Sequence, residues 1–267
     1  MKDCLHTRLR AIVDDPNLPI LETMQQFTLD AIAASGNTSM TDAQKWALNH
    51  FFYQIGAISN DGVFAKLEGL YLPMISGDNL TYAMVDYKGN NNLSLTGKKV
   101  KFQSHGLFIG DSGTGASVLA RNDYAGAVDA LSVAALFTEN FTTRTNKTIF
   151  GFGAASDSLK TIKIARSLTD DYIEIFGKRC NYGSTRSYLG FIATIDDVDY
   201  KAKFIESSPF TNTGVTGDAD LPSSLANVYM YWSDIVPIGA YSYGSALTDA
   251  ESEILASALY ELKGAFV

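Results

Sequence analysis

The hydrophobic positions change period along the chain. Up to about residue 75 they recur at helical spacing. In "PILETMQQFTLDAIAAS" the apolar residues Ile20, Met24, Phe27 and Ala31 fall on one helical face. Pro19 suits a first helical turn and Gly36 a stop. "TDAQKWALNHFFYQIGAI" predicts a second helix. Its Thr41 and Gln44 form a capping box, and Ala47, Phe51 and Ile55 line one face. A third short helix is predicted to carry Val63, Phe64, Leu67 and Leu70, and Pro73 ends it.

From about residue 78 the period becomes two. The alternation predicts strands at 80–86, 99–103, 106–110, 116–120, 130–137, 147–153, 160–166, 171–177, 188–195, 199–207 and 226–232. Turn signals lie between them: "DYKGNNN", "GDSGTG", "NKT", "CNYGST" and "GVTGDAD". Short strands with no helices between them predict an antiparallel β-sandwich of jelly-roll type, and the missing βαβ rhythm argues against a doubly wound sheet. The chain closes on "LTDAESEILASALYELKGAFV", where Thr248 and Glu251 form another capping box. Ile254, Leu255, Ala258, Leu259 and Leu262 give this helix, 248–263, an apolar stripe that must pack on something. The domain expectation is a helical segment over 1–75 and a sandwich with its closing helix over 76–267. Helices at both ends of a β-body are expected to pack on each other or on the sandwich wall.

Composition sharpens this picture. Hydrophobic residues make up 46% and charged residues 19%, enough apolar content for a sizeable core. No apolar run reaches membrane-spanning length. The opening "MKDCLHTRLRAIVDDPNLP" has no apolar leader segment, so synthesis in a cytoplasm is expected. The formal net charge of −8 argues against a nucleic-acid partner. Cys4 and Cys180 form neither a redox pair nor a metal-ligand spacing.

Two stretches carry a family resemblance. "ALNHFFYQIGAISNDGVFAKLEGLYLPMISG" (47–77) resembles the end of the helical lead-in of tailed-phage virion proteins of the Bacteroidetes-phage type. "IVPIGAYSYGSALTDAESEILASALYELKGAF" (235–266) resembles their close. Those proteins place a concanavalin A-like (LamG-like) domain between the two. The resemblance implies a concanavalin A-like jelly roll in a virion structural protein, a head or tail fibre or decoration component. It also implies a homotrimer or homodimer among other virion proteins.

Sites for chemistry are sparse. "GDSGTG" (110–115) contains the Gly-Asp-Ser-Gly of trypsin-like proteases, whose serine needs a histidine base. The histidines upstream are His6, His50 and His105, and His50 falls in a helix, so a Gly-rich turn is the better reading. Glycoside hydrolysis needs two carboxylates facing each other across a cleft. Asp171 and Glu174 have the wrong parity, and Asp197 and Asp199 sit at a hairpin tip. Calcium takes hard oxygens, which Asp218 with Asp220, or Asp196 with Asp197 and Asp199, would supply. Tyr229 and Tyr231 share one strand face, with Met230 and Trp232 on the other, and Tyr241 and Tyr243 repeat the arrangement. One such pair is core and the other is a candidate sugar platform or subunit interface. Asn-x-Ser/Thr sites at Asn37, Asn79, Asn92, Asn140 and Asn146 read as solvated turn and strand positions. No residue is assigned a catalytic, cofactor or metal role. The expectation is a non-enzymatic virion protein that assembles through its N-terminal helices, with a glycan-binding adhesin as the rival.

Overall fold

The computed structural model describes residues 24–77, 79–89, 92, 94–96, 100–103, 105–109, 117–121, 127–139, 147–153, 161–166, 170–184, 189–197, 199–205, 215–218, 221, 228–232 and 237–267. The opening residues 1–23, the "GDSGTG" turn and Asp220 lie outside them. Helices α1 (Gln26–Ser35), α2 (Asp42–Gln54) and α3 (Gly62–Lys66) come first, and α4 (Asp249–Phe266) closes the chain. Between them the strands are β1 (Leu67–Tyr71), β2 (Ser94–Thr96), β3 (Val100–Gln103), β4 (Gly106–Ile109), β5 (Ser117–Arg121), β6 (Ala130–Phe137), β7 (Lys147–Gly153) and β8 (Thr161–Arg166). They continue with β9 (Asp170–Ile175), β10 (Lys178–Ser184), β11 (Gly190–Asp196), β12 (Asp199–Ile205), β13 (Val215–Asp218), β14 (Val228–Trp232) and β15 (Ile238–Ser245).

The strands form two antiparallel sheets, as the alternation predicts. Sheet A runs β13-β12-β11-β6-β15-β4-β3, with β1 also paired to β15. Sheet B runs β10-β9-β8-β7-β14-β5-β2. The space between the sheets is filled by Leu131, Val133 and Phe137 of β6, Phe191 and Ile195 of β11, and Phe152, Ile162, Ile173 and Ile175 from sheet B. The alternate residues of sheet A face the other way. Leu136, Ile192 and Ala240 join a second cluster with Phe51, Phe52, Leu255, Leu259 and Leu262 of the helices. Sheet A is therefore buried on both faces, which explains why "ALSVAALF" is an unbroken apolar run. Each large side chain sealed there contributes about 1.5–3 kcal/mol of burial.

Both capping boxes form. Thr41 and Gln44 close the start of α2, and Thr248 and Glu251 close the start of α4. Ion pairs then fix α4 to its neighbours. Lys66 meets Glu251 at 2.7 Å, and Lys203 meets Asp249 at 3.4 Å and Glu253 at 3.6 Å. The lysines thus engage the acidic first turns of a helix whose dipole already favours negative charge there.

Several local readings are corrected. The described helix begins at Gln26, because Gln25 is extended with ψ 148°. Leu67 and Leu70 are not helical: α3 stops at Lys66, and these residues pair with β15. The stretch 80–86 is not a strand. The Thr81 N–H donates to Asn79 Oδ1 at 3.0 Å, and the chain makes a single 3-10 turn at Tyr82–Met84. "VTGD" within "GVTGDAD" and "KRCNYGS" around "CNYGST" are strands at sheet edges, β13 and β10, rather than turns.

Candidate functional site

Three places gather residues of the kind a site needs. The first is a buried aromatic and acidic cluster where β1 meets β15. Tyr71 stacks on Tyr241 with ring centroids 4.3 Å apart and planes 7° from parallel, and Tyr243 lies 6.5 Å from Tyr71. All three are fully buried. Burial, with Asp86 adding to it, raises the Tyr71 and Tyr241 hydroxyls well above their ordinary value. Asp86 is itself buried and accepts the backbone N–H groups of Leu70 at 3.0 Å and Lys88 at 2.9 Å. This cluster ties the lead-in to the sandwich. The "AYSYG" tyrosines are therefore core, not a platform.

The second is an aspartate row. Register places Asp199 opposite Asp196 on one side and Asp218 on the other, so both acidic stretches meet at one end of sheet A. Asp197 sits at the hairpin tip with φ 58°, and its N–H donates to the Asp129 carbonyl at 2.7 Å. Asp196, Asp197 and Asp199 are exposed, as a solvated hairpin tip should be. Among the described residues no three ligand-type side chains come together to hold a metal.

The third is the outer face of sheet B. Phe152, Ile162, Ile173 and Ile175 point into the sandwich core. Residues one step away lie on the opposite face. Register sets Met230 opposite Phe152, and Tyr229 and Tyr231 opposite Gly153 and Gly151. In register, Arg179, Glu174, Lys163, Gly151, Tyr231, Ser117 and Thr96 follow one another across the seven strands. Beside them run Thr161, Gly153 and Tyr229. Lys163 and Glu174 form an ion pair of 2.7 Å with side chains only 19% and 13% exposed. The sequence reading paired Tyr229 with Tyr231 but missed Lys163 and the glycines, because cross-strand neighbours depend on register.

The remaining catalytic candidates are dispersed. Glu174 is held by Lys163, and Asp171 pairs in register with Arg166, one face apart. His50 lies between α2 and α4, 3.6 Å from Glu261, and His105 is exposed in the β3–β4 turn. No helix among the described residues is long and apolar enough to cross a membrane.

No family model matches the chain, and no curated protein matches it in sequence. Among solved structures the fold is similar to Trypanosoma rangeli sialidase, at TM-score 0.50 and 15% identity over 81% of this chain and 38% of that one. A mutant of that sialidase displaying trans-sialidase activity gives TM-score 0.51 and 12% identity over the same shares. The chain thus spans well under half of the sialidase. A looser match is the conserved carbohydrate esterase of Shiga toxin-encoding bacteriophage phi24B, at TM-score 0.45 and 9% identity, covering 68% of this chain and 99% of that one. At such identities the likeness shows the sandwich fold alone.

Proposed function

We propose that the chain is a non-enzymatic structural protein of a phage virion, a fibre or decoration component. In this reading it is made in the host cytoplasm, mounts through its helical layer and displays the sandwich. The observation that supports this reading is where the two family-like stretches go. Residues 47–77 and 237–266 form one unit: β1 pairs with β15, α2 and α3 pack against α4, and Lys66 bonds Glu251. A mounting base needs such rigidity.

The apolar inner side of this layer is occupied by sheet A, so assembly falls to what the helices leave outside. Leu29, Trp46, Ile254 and Val267 are large apolar residues with 40–49% of their surface exposed. In this reading they join copies of the chain, or the chain to other virion proteins.

The test is the solution mass of the full-length chain by sedimentation equilibrium. A chain truncated to begin at Ser76 would not serve, because it loses β1. A defined dimer or trimer is expected, and Trp46→Glu and Ile254→Glu should dissociate it with little change in melting temperature. A monomer at all concentrations, or an oligomer indifferent to both substitutions, removes assembly through the helical layer.

A further inference from the structure

The outward sides of α2 and α4 carry patterns that packing on the sheet does not use. On α2, Ala43, Trp46, His50 and Tyr53 recur at intervals of three and four residues, so they form one ridge. Ala43 and Trp46 are exposed, and His50 and Tyr53 are half-buried. On α4, Ala250, Ser257 and Gly264 recur every seven residues, and all three are exposed. One ridge is thus large and the other small. Side-chain contacts set their relative level. Gln44 Nε2 donates to the Ala265 carbonyl at 3.3 Å, and Gln54 Nε2 donates to Glu261 at 3.2 Å. The helices therefore run antiparallel, with Trp46 level with Gly264 and Tyr53 level with Ser257. Ile254 is exposed beside a groove between the helices that Tyr53, Gln54 and Ser257 also line. A Cβ added to Gly264 would meet nothing within 4 Å, so the space over it is open.

We propose that this face docks a second copy of the chain about a two-fold axis parallel to the two helices. The proposal rests on the assembly reading above and names its partner. Such an axis carries α2 of each copy over α4 of the other at the same level. Each Trp46 then sits over Gly264 of the second copy, and each Tyr53 over its Ser257, large residue against small. Charge selects the same axis. The α4 side bears the acids Glu253 and Glu261, whereas the α2 ridge bears none and includes His50. Pairing α2 with α4 sets the acid-free ridge against the acidic one. An axis across the helices would instead stack α4 on α4 and bring like charges together, which is costly. Ile254, beside the axis, meets its own counterpart and closes the two grooves on each other. The 13 residues of α2 span about 20 Å, and two helices side by side are about as wide. A face of that size lies at the lower end of specific interfaces, so a reversible dimer is expected rather than a permanent one.

The test follows the full-length protein by sedimentation equilibrium across a wide range of concentrations. A monomer–dimer equilibrium is expected. Gly264→Phe and Ser257→Tyr should each weaken the dimer about ten-fold or more by filling the small positions. Both positions are exposed, so neither substitution should lower the melting temperature. Trp46→Ala should also weaken the dimer. The double variant, Trp46→Ala with Gly264→Phe, decides the contact. It should dimerise more tightly than Gly264→Phe alone, because loss of the indole makes room for the new ring. A dimer indifferent to either Gly264→Phe or Ser257→Tyr overturns this pairing, as does a double variant whose loss is the product of the single losses. A trimer overturns it too. All three leave assembly through the helical layer standing. A monomer at every concentration overturns the pairing together with the assembly reading on which it rests.

Discussion

His50 sits where two helices must stay in contact. It lies on α2, and Glu261 of α4 faces it at 3.6 Å while also accepting from Gln54 Nε2 at 3.2 Å. Burial holds the imidazole below its ordinary value of 6.5, and the nearby carboxylate offsets this in part. A base whose folded value is depressed binds its proton more readily in the unfolded chain. The contribution of neutral His50 is therefore complete above pH 6.5, declines as pH falls through 6.5, and levels off below the folded value. Urea midpoints should fall between pH 7 and pH 5, and His50→Gln should flatten that slope relative to the parent. Equal slopes in the two proteins would mean that His50 titrates as it does in the open chain. Neighbouring Asn49 has a purely structural task. The Gln25 N–H and the Thr28 hydroxyl both donate to its Oδ1, at 3.0 and 2.8 Å, so α2 caps the start of α1. No sequence rule reveals that cap, because its partners are more than twenty residues apart. The boxes at Thr41 and Thr248 were legible because every partner lies within one helical turn.

Elements divide in the same way. Strands β6, β7, β11 and β12 were legible from their apolar patterns, and α4 from its stripe and box. Strand β1 was not. Its Leu70 faces the helices while Tyr71 faces the sandwich, so it is buried on both sides and carries no alternation. Its identity comes from β15, about 170 residues away. The edge strands β10 and β13 are rich in polar and glycine residues and resemble turns until a neighbour pairs with them. The cross-strand neighbours in sheet B were half legible for a related reason: period two groups Tyr229 with Tyr231, but only register adds Gly151 and Lys163. Gly69 tests how β1 is fitted. A Cβ there would lie 2.5 Å from the Tyr243 ring and 2.9 Å from the Tyr71 ring. Both rings are fixed in the stacked core, so neither can yield. Gly69→Ala should cost about 1–3 kcal/mol by overpacking, measured by urea unfolding. A neutral or stabilising result would mean that β1 sits further from β15 than the pairing indicates.

At the scale of the molecule, the question is whether residues 1–75 and 76–267 are two domains. A boundary should fall where few contacts cross. Here the opposite holds at residue 75. Strand β1 is hydrogen-bonded into sheet A, and Phe51 and Phe52 share a cluster with Leu136, Ile192 and Leu259. Removing the helices would expose those sheet residues to water, and removing the sheet would uncover the apolar sides that α2 and α4 turn toward it. Neither part can gain its burial without the other. Scanning calorimetry of the full-length chain should therefore give one endotherm, with equal calorimetric and van't Hoff enthalpies. Leu259→Ala supplies the sharper form of the test. Its side chain is fully buried between α4 and the sheet, so the substitution should cost about 2–5 kcal/mol. If the body is cooperative, the midpoint followed by helical circular dichroism and the midpoint followed by the β-sheet amide I infrared band fall by the same amount. If the helical signal moves alone, or two endotherms separate, the lead-in is an independent domain, and the sandwich would then stand without its mount.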